Sequence, residues 1–292
     1  RNNQKIPEGV ALDKFGNSTQ STDTTLKRSS NSGVATFTLG VTASNGAKSA
    51  GFVMGTMTLN SIKSFTVAGD DATAEQGYFG TDICPKVVIL DPHISVHTPE
   101  WLWLSTAIRS VDHAVEGFCS ISKNPMISHN ALESLKIFSN SLRETKLDKK
   151  NIEARSMSQK AVWIVAKNMG NVMMGASHGI GYLLGSLGSV PHGQTSCVML
   201  PAVLKWNEEF HPEKDKMIAS ALGRPELKAY EAVKELIVDL GLPVSLEDVG
   251  IKKDLYEKIV EYALEHQIVL SNPRPITKAD DIYQILDFAE KG

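Results

Sequence analysis

The stretch "HGIGYLLGSLGSVPHG", residues 178–193, sets His178 and His192 fourteen positions apart across a glycine-rich run. A third histidine, His113, lies in "RSVDHAVEG", where the apolar spacing is helical. Three neutral imidazoles that converge on one point make a catalytic zinc set, or part of a ferrous iron set, with a position left open for substrate. Taken singly, each of the eight histidines reads as an ordinary solvated or hydrogen-bonded ring. The metal reading therefore requires the rings to meet. A dinucleotide cradle is the weaker alternative. Its G-x-G-x-x-G turn must follow a strand and open a helix, whereas Gly179, Gly181 and Gly185 are spaced one residue too far and follow a helix-like segment. No Gly-Lys-Ser/Thr occurs, which excludes a Walker loop.

The elements that would position these residues fall into two composition regimes. Residues 1–97 are rich in Ser, Thr, Gly and Asn, with β-prone runs at 34–43, 64–70 and 86–92 that predict strands between turns. The tract 15–35 is polar enough to predict a loop. From Thr98 onward the period is helical: Thr98 is the expected N-cap and Pro99 the first helical residue. Further amphipathic stretches cover 126–143, 151–169, 225–240 and 252–269. The expected fold class is α+β, a reduced β-rich N-terminal part over 1–97 followed by an all-helical domain over 98–292 that carries the histidines.

Bulk properties narrow the function classes. The 292 residues carry a formal charge of −3, with 42% hydrophobic and 22% charged residues. No basic stripe or long apolar run is present, so neither nucleic acid nor a membrane is the expected partner. A small-molecule substrate is expected, and a homo-oligomer as the assembly. Cys84, Cys119 and Cys197 are odd in number and lack CxxC spacing, which points to a reducing, cytoplasmic compartment. The chain opens at Arg1, and the expectation is a processed, truncated or engineered N-terminus.

Four ordered motifs add a family resemblance. "VVILDP" (87–92), "TPEWLWLSTAIRSVDHAVEG" (98–117), "GASHGIGYLLGSLGSVPHGQTSCVMLPAVLKWN" (175–207) and "NPRPIT" (272–277) resemble, in order and spacing, the iron-containing alcohol dehydrogenases and their maleylacetate reductase branch. The resemblance runs from about Lys86 to the C-terminus. It implies a C-terminal helical domain with a divalent metal, iron or zinc, near the point of hydride transfer, and NAD(P) as redox partner. Carried over residue by residue, His113, His178 and His192 match three metal ligands of the family.

The departures from the pattern are informative. The family's fourth ligand, an aspartate four residues before the first histidine, falls on Arg109. Residues four apart share a helix face, so a guanidinium would point at the ion. At ~5 Å and an effective dielectric near 20, this costs about 3 kcal/mol per unit charge product. Asp112, one residue before His113, is offset by about 100° around the helix and does not simply substitute. Arg109 either pairs with Glu116 or Asp112 in a site that has lost its metal, or binds a substrate carboxylate in the ion's place. The maleylacetate reductase branch, which also lacks that aspartate, handles acidic substrates. Where the family often has a further histidine near the nicotinamide, this chain has Tyr182, either a core aromatic or a hydrogen-bond donor and acid. The family's triple-glycine turn has no counterpart in the 23 residues upstream of Thr24, and "TASNGAKSAG" does not replace it.

Three functions follow. The leading one is an oxidoreductase of this lineage acting on a small carbonyl, hydroxy or carboxylate compound, with His113, His178, His192, Tyr182 and Arg109 lining the pocket. The alternative is a non-redox isomerase, lyase or cyclase of secondary metabolism that reuses the pocket. The third is a catalytically silent scaffold.

Overall fold

The computed structural model describes residues 88–167 and 172–292, together with the backbone of three short strands. Two compact units comprise Arg1–Val88 and Ile89–Gly292. In the first, β1 (Leu26–Arg28), β2 (Ala35–Leu39) and β3 (Thr66–Gly69) form one sheet in the order β1-β2-β3. β1 runs antiparallel to β2, with Leu26 opposite Phe37, and β2 runs parallel to β3, with Phe37 opposite Val67. The remainder of the expected β-rich part, and most of the 15–35 loop, lie outside the described residues.

In the second unit every described regular element is helical. The strand expected over 86–92 is a correction. Val88, Ile89 and Leu90 have no regular structure, and α1 (Pro92–Ser95) begins where a strand should end. The Asp91 carboxylate accepts from His93 N (2.8 Å) and Ile94 N (3.3 Å), and Pro92 has its φ preset for a helix. This local capping outweighs the β preference of the aliphatic run.

The next helix, α2 (Glu100–Cys119), starts one residue later than expected, with Pro99 as its N-cap. α3 (Pro125–Leu147) is opened by Asn124, whose side chain accepts from Ile127 N (3.0 Å). α4 (Ile152–Ala166) is opened in the same way by Asn151 on Ala154 N (3.0 Å). α5 (Ala176–Gly188) and α6 (His192–Asn207) follow, then α7 (Pro212–Ala221) and α8 (Ala229–Asp239). The stretch 252–269 divides into α9 (Tyr256–Ala263) and the single turn α10 (Gln267–Leu270), and α11 (Ala279–Lys291) ends the chain.

Two apolar cores form. Leu104, Ile108, Val111 and Val115 of α2 pack with residues of α3, α4, α7 and α8. Ile180 and Leu184 of α5 pack with residues of α9, α10 and α11. α6 belongs to both: Cys197, Leu200 and Leu204 face the first core, and Val198, Met199 and Val203 the second. Where α2, α5 and α6 meet, the two cores are joined by a layer of buried polar groups. No described helix is long and apolar enough to cross a membrane.

Candidate active site

Arg109, Asp112, His113 and Glu116 stand at i, i+3, i+4 and i+7 on α2 and share one face. That face meets the first turn of α5, whose N-cap residue, Gly175, has no side chain to satisfy the free amides. Glu116 supplies the missing acceptor from another helix. Its carboxylate accepts from Gly175 N (2.8 Å), Ser177 N (2.8 Å) and His178 N (3.3 Å), a favourable charge at a helix N-terminus. It also accepts from His178 Nδ1 at 2.7 Å. The Asn272 side chain, fixed by Asn207 (2.9 Å) and Arg274 O (2.7 Å), accepts from Ala176 N at 3.4 Å.

Next to Glu116, Asp112 Oδ2 accepts from Ser177 Oγ (2.8 Å) and Ser196 Oγ (2.6 Å), and lies 3.5 Å from His178 Nδ1. Arg109 Nη1 donates to Ser196 Oγ at 2.9 Å and lies 3.6 Å from Asp112. The arginine is only 4% exposed, yet its Nε and Nη2 have no hydrogen-bond partner. These two nitrogens form one edge of the guanidinium, the edge that binds a carboxylate side-on through two parallel N–H bonds. His178 Nε2 and Asp112 Oδ1 are likewise buried without a partner.

The remaining rings gather around Tyr182. The His178 ring centroid is 4.4 Å from that of His113 and 6.3 Å from that of Tyr182. His192 stacks on Tyr182 at 5.9 Å and 16°, and the Arg109 guanidinium carbon lies 5.1 Å from the Tyr182 ring centroid. His113 Nδ1 is 2.7 Å from the carbonyl of Arg109. A carbonyl only accepts, so this nitrogen carries the proton and Nε2 keeps its lone pair. The structure thus brings His113, His178, His192, Tyr182 and Arg109 into one neighbourhood. His178 and Tyr182 are buried, His113 is half-buried and His192 is exposed.

Electrostatics follow from this crowding. Burial raises the Asp112 pKa, but His178, Arg109 and the Ser196 hydroxyl outweigh it and hold the carboxyl well below the usual range. For His178, burial and Arg109 lower the pKa, and the two carboxylates overcome them and raise it. Burial, His178 and Arg109 keep His113 well below its ordinary value. Burial, Arg109 and His178 lower His192 to about 4. Burial raises the Tyr182 phenol while Arg109 pulls it back.

The residues that sequence reasoning did not place in the site are Asp112 and Glu116 as an α5 anchor, Ser177, Ser196, Asn272 and His266. The signal for the first two was present: acids three and seven residues after Arg109 must share its face. Asp112, Glu116 and His178 are also, among the described residues, the one group of three whose candidate ligand atoms lie within 4.8 Å of one another. They do not suit an ion. Four N–H bonds already occupy Glu116, and two hydroxyls and a guanidinium occupy Asp112 Oδ2. The set His113, His178 and His192 fares no better, because Arg109 stands where a neutralising carboxylate is needed and its charge reaches all three rings. The residues present do not fit a divalent metal.

Comparison with known proteins fits this architecture. Residues 104–289 match the model of the C-terminal domain of the Fe-containing alcohol dehydrogenase family. A maleylacetate reductase of Sphingobium indicum is 31% identical over 212 residues, which cover 72% of this chain and 58% of the relative. A dehydrogenase of Alternaria alternata is 32% identical over 259 residues, covering 76% and 67%. The crystal structure of a candidate alcohol dehydrogenase from Ralstonia eutropha superposes with a TM-score of 0.72 at 28% identity, covering 78% of this chain and 63% of that one. The chain thus spans somewhat more than half the length of these proteins. With a family model running through nearly the whole helical unit, from α2 into α11, the chain belongs to the iron-containing alcohol dehydrogenase family.

Proposed function

We propose that this chain is the substrate-binding helical part of an oxidoreductase that interconverts a small carbonyl compound and its alcohol. We further propose that the substrate bears a carboxylate held by Arg109, where metal-bearing relatives place an ion. The observation that carries this reading is the pair of unpartnered donors, Nε and Nη2, on a guanidinium that is otherwise buried. A buried polar group without a partner is costly unless a ligand completes it. The name of the Sphingobium relative, maleylacetate reductase, supports an acidic carbonyl substrate.

In this reading the carboxylate docks side-on against Arg109, which Ser196 and Asp112 hold in place. The carbonyl oxygen then turns toward His178 Nε2 and the Tyr182 hydroxyl. When bound, a nicotinamide would supply the hydride. His178, whose pKa Asp112 and Glu116 raise, is the group placed to hand an Nε2 proton to the oxygen as negative charge develops there. Tyr182, its pKa raised, stays protonated and donates a second hydrogen bond. Hydride and proton together make the alcohol, with no Lewis acid among these residues.

The test is NADH or NADPH oxidation by the purified chain against oxo acids and neutral ketones of matched length. Reduction confined to the acids supports the proposal. Turnover of an acid without nicotinamide would instead support an isomerase or lyase, and a preference for neutral ketones would overturn the carboxylate role of Arg109.

A further inference from the structure

The charged side chains gathered at Tyr182 and His178 are Arg109, Asp112 and Glu116, and their balance limits what the site can take. Arg109 is the one fixed cation among them. Its Nη1 lies 3.6 Å from Asp112 Oδ2 and reaches the same oxygen through the Ser196 hydroxyl. Glu116 stands one turn beyond Asp112 on the same face of α2, where the amides of α5 and His178 Nδ1 share its charge. Even with His178 protonated, two positive charges face two negative ones. The site thus holds no excess of positive charge before a substrate arrives. The other arginines with described side chains are bound elsewhere. Asp239 holds Arg143, the carbonyls of Ser95 and Lys149 hold Arg155, Glu235 holds Arg224, and Arg274 lies on the Trp206 ring.

One carboxylate overcomes this balance through the paired, charge-assisted bonds of Arg109. A second carboxylate on the same molecule finds no further fork. It meets Asp112 and Glu116, both buried, in surroundings where like charges repel several times more strongly than in water. We infer that the substrate is a monocarboxylate, and that Asp112 and Glu116 make the site reject dicarboxylates of the same length. The inference rests on the carboxylate reading above and narrows it.

The experiment titrates three probes calorimetrically into the full chain without nicotinamide: 4-oxoheptanedioate, its monoamide, and 4-oxoheptanoate. The first two share one shape and differ by a single charge, and the third carries a methyl group in place of the far carboxylate. At about pH 8 an unpaired histidine, with an ordinary pKa of about 6.5, is neutral and adds no cation. The wild type is expected to bind both monoanions about ten- to hundredfold tighter than the dianion. Two substitutions shift the balance by opposite means. Asp112→Asn removes a negative charge and leaves an oxygen for Ser177 and Ser196. His192→Lys adds a positive charge at an exposed position beside Tyr182. Each should narrow the gap at least about threefold, and because the gap is a ratio within one variant, a general loss of binding does not imitate this result. The inference is overturned if the wild type binds the diacid as tightly as the monoamide, or if neither variant narrows the gap. If the wild type binds none of the three, or Arg109→Met binds them all as well as the wild type does, the carboxylate reading itself has failed, and this inference with it.

Discussion

Replacing Arg109 with methionine removes the guanidinium while keeping most of its volume. Two N–H donors of Arg109 are buried without a hydrogen-bond partner while Nη1 is engaged by Ser196. A bound carboxylate would accept two charge-assisted hydrogen bonds, each worth about 1.5–3 kcal/mol. Their loss, about 3–6 kcal/mol, corresponds to a fall in kcat/KM of roughly 10²- to 10⁴-fold for an acidic substrate. Asp112 keeps Ser177, Ser196 and His178 as partners, so the variant should still fold. Steady-state reduction of 4-oxopentanoate and of the neutral 2-pentanone supplies the comparison, with the neutral ketone expected to change by less than about threefold. Arg109→Lys, with the charge but no fork, should fall between wild type and methionine. Equal losses for acid and ketone, or no loss for either, would refute the reasoning.

Other consequences concern the frame around the pocket. Glu116→Gln removes the charge at the N-terminus of α5 together with its bond to His178. Urea unfolding should show a loss of about 2–4 kcal/mol; a change within experimental error would mean that α5 does not depend on this cap. Gly179→Ala forces α10 away from α5 and should cost about 1–3 kcal/mol by the same measurement. His178 has its pKa raised in the folded state, so its contribution is complete below the ordinary histidine value of 6.5 and disappears as pH rises through the shifted value. His178→Asn should therefore lose more stability at about pH 5.5 than at about pH 9, and the opposite order would reverse the assigned sign.

Spacing alone places Arg109, Asp112, His113 and Glu116 on one helix face, because a face follows from i, i+3, i+4 and i+7; grouping His178, His192 and Tyr182 with them was implied by the family resemblance. Arg109 and His113 are so placed, and His178 and His192 open adjoining helices. The contacts that complete the site depend on distant pairings. Glu116 meets α5 across 59 positions at Gly175, and His266 reaches Tyr182 only because Gly179 admits α10. No periodicity encodes either. The run at 88–90 reads as strand on β-branched content, and the Asp91–Pro92 cap decides against it. α7 is a short helix of ten residues, and α11 carries a regular apolar face of Ile282, Ile285, Leu286 and Ala289 that the amphipathic stretches named above did not include.

In the proposed reading a guanidinium, and not a metal ion, organises the space between these imidazoles. At ~5 Å and an effective dielectric near 20, a doubly charged ion beside Arg109 is disfavoured by about 7 kcal/mol. Elemental analysis after equilibration with ferrous iron or zinc tests this directly, with Arg109→Asp restoring the carboxylate as the control. Far less than one ion per wild-type chain and clear uptake by R109D are expected. One tightly held ion per wild-type chain, lost when His178 is replaced, would contradict it.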